Sequence, residues 1–333
     1  DHFETKIWTG NGSSQDISLD FAPDWNWIKQ RSATRYHNLQ DTIRGTGLQL
    51  FSNTTSADNS DGTNITAFNS DGYSLGAGDN VNKNTSTYVG WSWKAGGSAS
   101  SNSDGNITSS VSVNTTAGFS IVSYTGTGGG KTVGHGLGVA PRVFFMKNRG
   151  SADYNWSVWH ADLATPTTAR LGLNVATAQQ NHSSYWNDGV PSATILNLGS
   201  DAGHNANGDT YIAYCFAEKK GYSKFGTYEG NGIDDGPFIY TGFAPAFVMV
   251  KCFDQGEHWN IYDNKRGSSL ALSPNLEVAD RAMDDSPAME LLSNGFKIRT
   301  SDNNLSNAAD GFIYMAFAAE PFVTSKGVPA TAK

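Results

Sequence analysis

Residues 228–267 read YEGNGIDDGPFIYTGFAPAFVMVKCFDQGEHWNIYDNKRG, and the order of features in this stretch occurs three times in the chain. An aromatic residue and a Gly-rich turn come first, followed by an Ala-Pro pair, an apolar run that ends in Lys, and an aromatic strand. The two earlier copies contain Phe21-Ala22-Pro23 with Trp27-Ile28-Lys29, and Val139-Ala140-Pro141 with Val143-Phe144-Phe145-Met146-Lys147. Three passes through one pattern predict three copies of one structural unit.

The strand that closes each unit alternates bulky and small residues. The bulky positions are Val89, Trp91 and Trp93 in the first unit, Ile212, Tyr214 and Phe216 in the second, and Ile313, Met315 and Phe317 in the third. A period of two is the pattern of a strand with one face in a core. The small residues between them predict the close approach of another layer or of a neighbouring chain.

The apolar run after each Pro has no such alternation. In the run from Phe247 to Val250 both faces are apolar, which predicts a strand covered on both sides. The Lys that ends each run (Lys29, Lys147 or Lys251) is interpreted as the point where the strand emerges into water.

These patterns predict an all-β fold of three tandem homologous β-sandwich domains, jelly-roll-like and each of about 100 residues. The predicted domains are residues 1–94, 118–220 and 221–322, followed by a C-terminal tail at 323–333. Residues 95–117 are rich in Gly, Ser and Asn and are interpreted as a linker or a surface arm. Turn signals such as Asp71-Gly72 and Asn294-Gly295 predict tight hairpins in the first and third domains.

Composition restricts the class of partner. The net charge is −8, whereas a nucleic-acid-binding protein needs a basic face, so nucleic acid is not an expected partner. No apolar run reaches the length that crosses a bilayer, and no membrane insertion is expected. Cys215 and Cys252 each lie in an apolar run, and two buried thiols are favoured over a disulfide between them.

Several Asp, Arg and Asn residues recur between units and could form ion pairs or bind a metal. The pairs Asp41/Arg44 and Asp263/Arg266 favour a structural ion pair that braces a turn, and the second unit keeps Asp162 without the Arg. Loops rich in Asp and Asn precede each closing strand, at 79–82, 201–209 and 302–310. Calcium is an alternative to simple turns there, but the spacing of an EF-hand is absent, and we predict no metal and no cofactor.

Catalytic motifs are absent from the sequence. There is no nucleophile elbow and no phosphate-binding or dinucleotide-binding loop, and the histidines lack a metal-ligand spacing. Carboxylates at Asp234, Asp235, Asp284, Asp285 and Glu290 leave glycoside hydrolysis open as an alternative. We nevertheless predict that the protein is not an enzyme.

Exposed aromatic rings on a β scaffold can stack on sugar rings. The candidates are Trp25, Trp156, Trp159, Tyr185, Trp186 and Trp259. We predict that Tyr185, Trp186 and Asp188 contact a glycan, because they lie in a polar loop rather than in a strand.

Several motifs resemble a repeated domain of unassigned function in tail-fibre-like virion proteins of marine tailed bacteriophages, including cyanophages. The resemblance rests on Phe119 to Gly126, Thr132 to Pro141, Val143 to Asn148, Asn294 to Thr300, Tyr314 to Ala318 and the tail from Pro321 to Pro329. It covers nearly the whole chain, and it carries over no catalytic residue.

The resemblance implies a position on the exterior of a phage particle, with other virion proteins as partners and a homotrimeric fibre or spike as the assembly. From it we expect a structural virion protein that binds a host-surface polysaccharide through many weak contacts. The alternatives are a capsid decoration or tail-assembly protein without a ligand, and a polysaccharide depolymerase.

Overall fold

The computed structural model describes residues 2–267, 269–282 and 287–319, and the chain in these ranges is built from β-strands and turns. The predicted all-β class is therefore confirmed. The helices of these ranges are single turns of four residues, and none has the length or the hydropathy needed to cross a membrane. The tail at 323–333 and the residues Asp284 and Asp285 lie outside the described residues.

The elements of the first third of the chain are β1 (Phe3–Thr9), β2 (Gln15–Ser18), β3 (Trp25–Gln30), β4 (His37–Asp41), β5 (Leu48–Phe51), β6 (Asn59–Ser60), β7 (Ile65–Asn69), β8 (Gly72–Leu75), α1 (Asp79–Asn82) and β9 (Thr87–Trp93). Those of the second third are β10 (Ser100–Asn102), β11 (Ser109–Asn114), β12 (Phe119–Thr125), β13 (Lys131–Gly134), β14 (Val143–Asn148), β15 (Ser157–His160), β16 (Ala169–Gly172), β17 (Gln180–Asn181), β18 (Ile195–Leu198), α2 (Ala202–Asn205) and β19 (Thr210–Phe216). The last third contains β20 (Ser223–Glu229), β21 (Phe238–Tyr240), β22 (Pro245–Cys252), β23 (Asn260–Asp263), β24 (Leu270–Ala271), β25 (Arg281–Ala282), β26 (Met289–Leu292), β27 (Gly295–Ile298), α3 (Asn303–Ser306) and β28 (Gly311–Ala318).

Three main sheets share one strand order. They are β1-β9-β3-β4-β5-β6, β10-β11-β12-β19-β14-β15-β16-β17 and β20-β28-β22-β23. In each, the closing strand lies between the first strand of the repeat and the strand that follows the Pro. Smaller sheets accompany them: β2-β8-β7, β13-β18, β21-β27-β26 and β24-β25. We call β1 to β9 unit 1, β10 to β19 unit 2, and β20 to β28 unit 3.

The strands after each Pro are buried along their whole length, as their two apolar faces predict. The hairpins β7–β8 and β26–β27 turn at the predicted Asp71-Gly72 and Asn294-Gly295 sites. Both cysteines are free and buried, which confirms the thiol interpretation.

The two faces of each closing strand have different partners. All nine bulky positions of β9, β19 and β28 belong to one core that is shared by the three units. The small positions face the local core of their own unit, where Ala213 and Ala316 lie in separate clusters. At Gly90 an added Cβ would approach the hydroxyl of Tyr73 on β8 to 2.7 Å, so the smaller sheet makes the close contact that the small residues predicted.

Aromatic rings join the three main sheets across the shared core. Trp25 of unit 1 stacks on Tyr214 of unit 2 at a centroid distance of 4.2 Å, and Phe3 stacks on Phe317 of unit 3 at 5.1 Å. Phe216 of unit 2 contacts Phe317 edge-on at 5.7 Å. The arrangement of three separate sandwich domains in tandem is therefore not confirmed, because the units bury their largest side chains against one another.

Residues 95–117, interpreted from the sequence as a linker or a surface arm, do not form a free linker. They contain β10 and β11, and β11 pairs with β12 over the register Ser110↔Ser123 to Asn114↔Phe119. Ile107, Val111 and Ala117 are buried. A composition rich in Gly and Ser favours flexibility, but β11 alternates Ser with Val, so the Val side chains enter the core of unit 2.

The lysines that end the post-Pro strands do not emerge into water. Lys29, Lys147 and Lys251 are fully buried, and each ammonium donates hydrogen bonds to backbone carbonyls of the turn that follows. For Lys147 the acceptors are the carbonyls of Asn148 at 2.7 Å and Tyr154 at 3.0 Å. Burial lowers the pKa of all three lysines to about 8. These residues are structural clamps on the turns.

Candidate functional site

The predicted glycan platform is closed to solvent. The ring of Trp186 is 1% exposed, its Nε1 donates to the carbonyl of Ala169 at 2.6 Å, and it packs edge-on against Phe144. Tyr185 is 9% exposed and lies beneath the guanidinium of Arg170, which is 4.2 Å from the ring centroid. Burial of both rings leaves no face on which a sugar could stack, so their use as a platform is not supported.

Asp188 is exposed at the tip of the same loop. Asn187 and Asp188 have φ angles of 52° and 53°, in the left-handed region, so the chain turns sharply directly after the buried Trp186. The other candidates, Trp25, Trp156, Trp159 and Trp259, are at most 3% exposed. The loop position of Trp186 did not predict exposure, because the tryptophans of these units fill the cores.

A buried polar cluster lies next to Trp186. The Nε2 of His204 is 2.8 Å from the Oγ of Ser157, and Arg170 Nη1 donates to the same Oγ at 3.1 Å. His204 Nδ1 lies 3.6 Å from a carboxylate oxygen of Asp201. The serine–histidine spacing matches that of a nucleophile and its base. Both residues are fully buried, however, and burial holds the pKa of His204 well below its usual value. The contacts therefore serve the core of unit 2.

Two of the carboxylates considered for glycoside hydrolysis, Asp235 and Glu290, are held by cations. Asp235 lies 2.6 Å from Lys297 and 2.9 Å from Arg299, and Glu290 lies 2.8 Å from Arg299. The hydrogen bond and the charge of Lys297 lower the pKa of Asp235. A general acid needs a raised pKa instead, so this surface network does not have the electrostatics of a glycosidase.

The Asp- and Asn-rich loops form the single helical turns α1, α2 and α3. Asp201 caps α2 and Asp302 caps α3, each through a side-chain oxygen that accepts a backbone N–H. Within the described ranges no three His, Cys, Asp or Glu side chains gather in a way that could hold a metal ion. Capping accounts for Asp201 and Asp302, whereas the residue at the cap of α1 is Gly78.

The recurring Asp/Arg pair lies at a junction between units. Asp41 and Arg44 are fully buried side chains joined at 2.6 Å, and Tyr214 of unit 2 donates its hydroxyl to Asp41 at 2.7 Å. Arg44 also reaches Asp58, which in turn binds Arg149 of unit 2 at 2.6 Å. Burial by itself would lower the pKa of Arg44, but Asp41, Tyr214 and Asp58 raise it above its ordinary value. The predicted structural ion pair is confirmed, and it extends across two units.

The junction between units 3 and 1 repeats this arrangement. Asp263 and Arg266 are joined at 2.6 Å, and Trp91 of unit 1 donates its Nε1 to Asp263 at 3.1 Å. Arg266 binds Asp280 at 2.9 Å, and Asp280 binds Arg31 of unit 1 at 2.7 Å. We call these two contacts the charged junctions.

In unit 2 the counterpart of Asp41 is His160, and the sequence-based assignment of Asp162 is wrong. Strand register decides this point, because Asp41 faces Trp25, Asp263 faces Phe247 and His160 faces Val143, the matching positions of the post-Pro strands. Asp162 instead pairs with Arg142 at 2.5 Å nearer the surface. Asp162 has the same residue type as Asp41, but it lies two positions beyond the structural counterpart, His160.

The junction between units 2 and 3 has no charged pair at its centre, and we call it the uncharged junction. Its five positions hold His160, Leu163, Gln179, Phe253 and Met315, in place of Asp, Arg, Asp, Arg and a hydrogen-bond donor. The backbone contact is kept, since Gln179 N–H donates to the carbonyl of Phe253 at 2.7 Å as Asp58 donates to Arg149 at 3.0 Å. A cavity of about 10 Å³ lies beside His160 and Met315. Burial lowers the pKa of His160 to about 4.

The sequence search missed a pair of exposed aromatic residues on unit 3. Phe238 is 46% exposed and Tyr240 is 65% exposed, and both project from β21 on either side of the buried Ile239. The signal in the sequence was the alternation of Phe, Ile and Tyr where the other units have Asp16-Ile17-Ser18 and Thr132-Val133-Gly134.

The fold and these sites define an all-β protein of three sheet systems around one core, without a solvent-open catalytic cluster in the described residues. The sequence matches the family DUF7483, described as a domain of unknown function, over residues 1–321. The match covers nearly the whole chain, so the protein belongs to the DUF7483 family. A comparison with curated proteins finds no match.

Proposed function

We propose that the chain is a structural component on the exterior of a bacteriophage virion, built from three copies of one β unit closed around a shared core. The observation that carries this proposal is a ring of contacts at equivalent positions between units, two of which are hydrogen bonds donated by tryptophans. Trp156 of unit 2 donates its Nε1 to the carbonyl of Phe51 in unit 1 at 2.9 Å. Trp259 of unit 3 donates to the carbonyl of Gly172 in unit 2 at 2.8 Å.

The third position of the ring is filled by His37 of unit 1. His37 takes the place of these tryptophans in the strand register, and it lies beside the backbone of Ser273 in unit 3. Burial lowers the pKa of His37 well below its usual value, so the imidazole is neutral in this contact. Contacts that run from unit 2 to 1, from 3 to 2 and from 1 to 3 close a ring within one chain.

A closed and internally threefold body suits a building block of a symmetric particle. The homotrimer expected from the resemblance stays a prediction, and one chain that already contains three units offers a simpler arrangement. In that arrangement one chain, with its three units, lies on a threefold axis of the particle. Sedimentation equilibrium separates the two, since it gives the mass of either one chain or three.

The geometry favours a structural role over attachment to host glycans. The rings of Tyr185 and Trp186, on which the glycan hypothesis depended, are buried. Asp235 and Glu290, two of the carboxylates considered for a depolymerase, are paired with Lys297 and Arg299. Of the three residues predicted to contact a glycan, Asp188 is exposed, whereas the rings of Tyr185 and Trp186 are buried.

The test is the location of the protein and its effect on adsorption. Antibodies raised against the purified chain should label intact phage particles in electron micrographs, and an unlabelled particle would overturn the proposal. Purified protein added in excess should leave phage adsorption unchanged. Competition for adsorption would instead restore the host-attachment hypothesis.

A further inference from the structure

In unit 2 the edge of the smaller sheet is occupied by a segment from outside the repeat. Ile107 forms a parallel bridge with Val133 of β13, and its N–H donates to the carbonyl of Thr132 at 3.0 Å. Its side chain is 5% exposed and belongs to the core of unit 2. Two residues further on, Ser109 Oγ donates to the carbonyl of Gly134 at 2.8 Å. The molecule thus shows how this edge accepts an extended strand.

The matching edge in unit 3 is β21, which lies at the end of its sheet. Ile298 N–H donates to the carbonyl of Pro237, and Thr241 N–H donates to that of Asn294. Backbone groups of an antiparallel strand alternate in direction, so those of Phe238 and Tyr240 point away from β27. Within the described residues nothing bonds to the carbonyl of Phe238 or to the N–H of Tyr240. These two groups correspond to those that a parallel bridge uses at β13.

The side chains at this edge are apolar only in unit 3. The positions of Phe238 and Tyr240 hold Asp16 and Ser18 in unit 1, and Thr132 and Gly134 in unit 2. The unit therefore folds without aromatic residues there. Phe238 covers Gly295 of β27, where an added Cβ would meet the ring at 3.0 Å, but this use leaves nearly half of the side chain in water. Because the equivalent positions are polar or small in the other units, the exposed rings are not required by the fold and are available for a contact.

We propose that the open edge of β21 accepts an extended segment of a partner polypeptide, which pairs in parallel with β21 as Ile107 pairs with β13. The segment donates an N–H to the carbonyl of Phe238, accepts the N–H of Tyr240, and packs its side chains on both rings. Backbone hydrogen bonds supply affinity in such strand addition, and side-chain contacts supply specificity. This inference rests on the proposed function, which makes the partner another protein of the same assembly.

The surrounding charges agree with a polypeptide rather than a charged polymer. Lys297 lies directly across from Phe238, and it is neutralised by Asp235. Arg299 is shared between Asp235 and Glu290. The edge therefore has balanced charge and attracts neither a polyanion nor a polycation.

The test uses the full chain and a synthetic peptide of residues 103–110, which contains the segment that already pairs with β13. Because that edge is occupied in the full chain, binding of added peptide at β21 is followed at the N–H of Tyr240, which the peptide accepts. At a peptide concentration of twice its Kd, amide exchange at Tyr240 should slow about threefold. The same peptide with Ile107→Pro lacks the N–H donor and should leave the exchange unchanged.

Matched variants separate the rings from the backbone. Phe238→Thr combined with Tyr240→Ser introduces the residue types of the other units, and it should weaken peptide binding about tenfold with an unchanged melting temperature. Tyr36→Ser removes another exposed aromatic residue, on unit 1, and should leave binding unaltered.

Three outcomes overturn the proposal. They are an unchanged Tyr240 exchange at the solubility limit of the peptide, an equal effect of the proline peptide, and a slowing that depends on protein concentration without peptide. The last outcome would identify a second copy of this chain as the occupant. Failure of antibody labelling of particles would remove the proposed function while leaving peptide binding at β21 in place.

Discussion

The charged junction between units 1 and 2 and the uncharged junction between units 2 and 3 solve the same packing problem in opposite ways. One buries Asp41 and Arg44 with Tyr214 as a further donor, and the other has His160, Leu163 and Met315 at the same positions. All five positions differ together. A buried charge without its partner is strongly destabilising, whereas replacing the whole set by packed neutral residues is tolerated. The comparison teaches that closure of the ring needs complementarity at each junction but not an ion pair.

The largest expected effect is that of Arg44→Met. It leaves the carboxylate of Asp41 fully buried without its cation, so the free energy of unfolding should fall by about 3–5 kcal/mol. Chemical denaturation measures this change. Leu163→Met at the uncharged junction is the matched control and should cost less than about 1.5 kcal/mol. Equal losses in the two variants would contradict the distinction between the junctions.

Acid should weaken the uncharged junction through His160. Its pKa is about 4 in the folded protein and 6.5 when unfolded, so the unfolded chain binds the proton first as pH falls. The associated stability is complete above pH 6.5 and is lost as pH falls toward 4, by about 3 kcal/mol.

The measurement is the unfolding free energy at several pH values for the wild type and for His160→Asn. The amide keeps an acceptor for the backbone N–H of Asp162, which His160 Nδ1 accepts at 3.1 Å. The variant should lose stability less steeply between pH 6.5 and 4. The buried His37 and His204 remain in both proteins and cancel in the difference. If the unfolding free energies of the two proteins fall equally with pH, protonation of His160 does not weaken the uncharged junction.

Removing both charges at once should cost less than removing one. In Asp41→Leu combined with Arg44→Met neither charge is left alone, so stability should exceed that of Arg44→Met by about 2 kcal/mol. Thermal and denaturant unfolding of the two variants measure the difference. If the double variant is less stable than Arg44→Met, an unpaired buried Asp41 is not the main cost of losing Arg44.

The smallest effect concerns the cavity at the uncharged junction. A cavity of about 10 Å³ costs only about 0.2 kcal/mol at roughly 24 cal/mol per Å³. Val158→Ile adds one methylene group to its wall and should change stability by less than about 0.5 kcal/mol. The same change at Val248, a fully buried residue in the local core of unit 3, should be destabilising because an added methylene overpacks a close-packed site. A large gain from Val158→Ile would mean that the uncharged junction is poorly packed.

Much of the local structure could be predicted from the sequence. Alternation in β9, β19 and β28, the Asp-Gly and Asn-Gly hairpins, and the doubly apolar strands after each Pro are local patterns, and local patterns set strand faces. The candidate site could not be predicted in this way. Trp186 lies in a polar loop by sequence, but in the structure its ring belongs to the core of unit 2.

The sequence by itself determined the all-β class, the threefold repetition and the structural nature of the Asp/Arg pairs. The tertiary structure alone decided what the repeats do to one another. It placed the bulky faces of three closing strands in one core, made His160 the counterpart of Asp41 and Asp263, and buried Lys29, Lys147 and Lys251 under backbone carbonyls. The physical reason is that a strand pattern states which face is apolar but not what covers it. The residues that cover each apolar face lie more than a hundred positions away in the chain. Which side chains stay exposed, such as those of β21, is therefore decided by the tertiary structure.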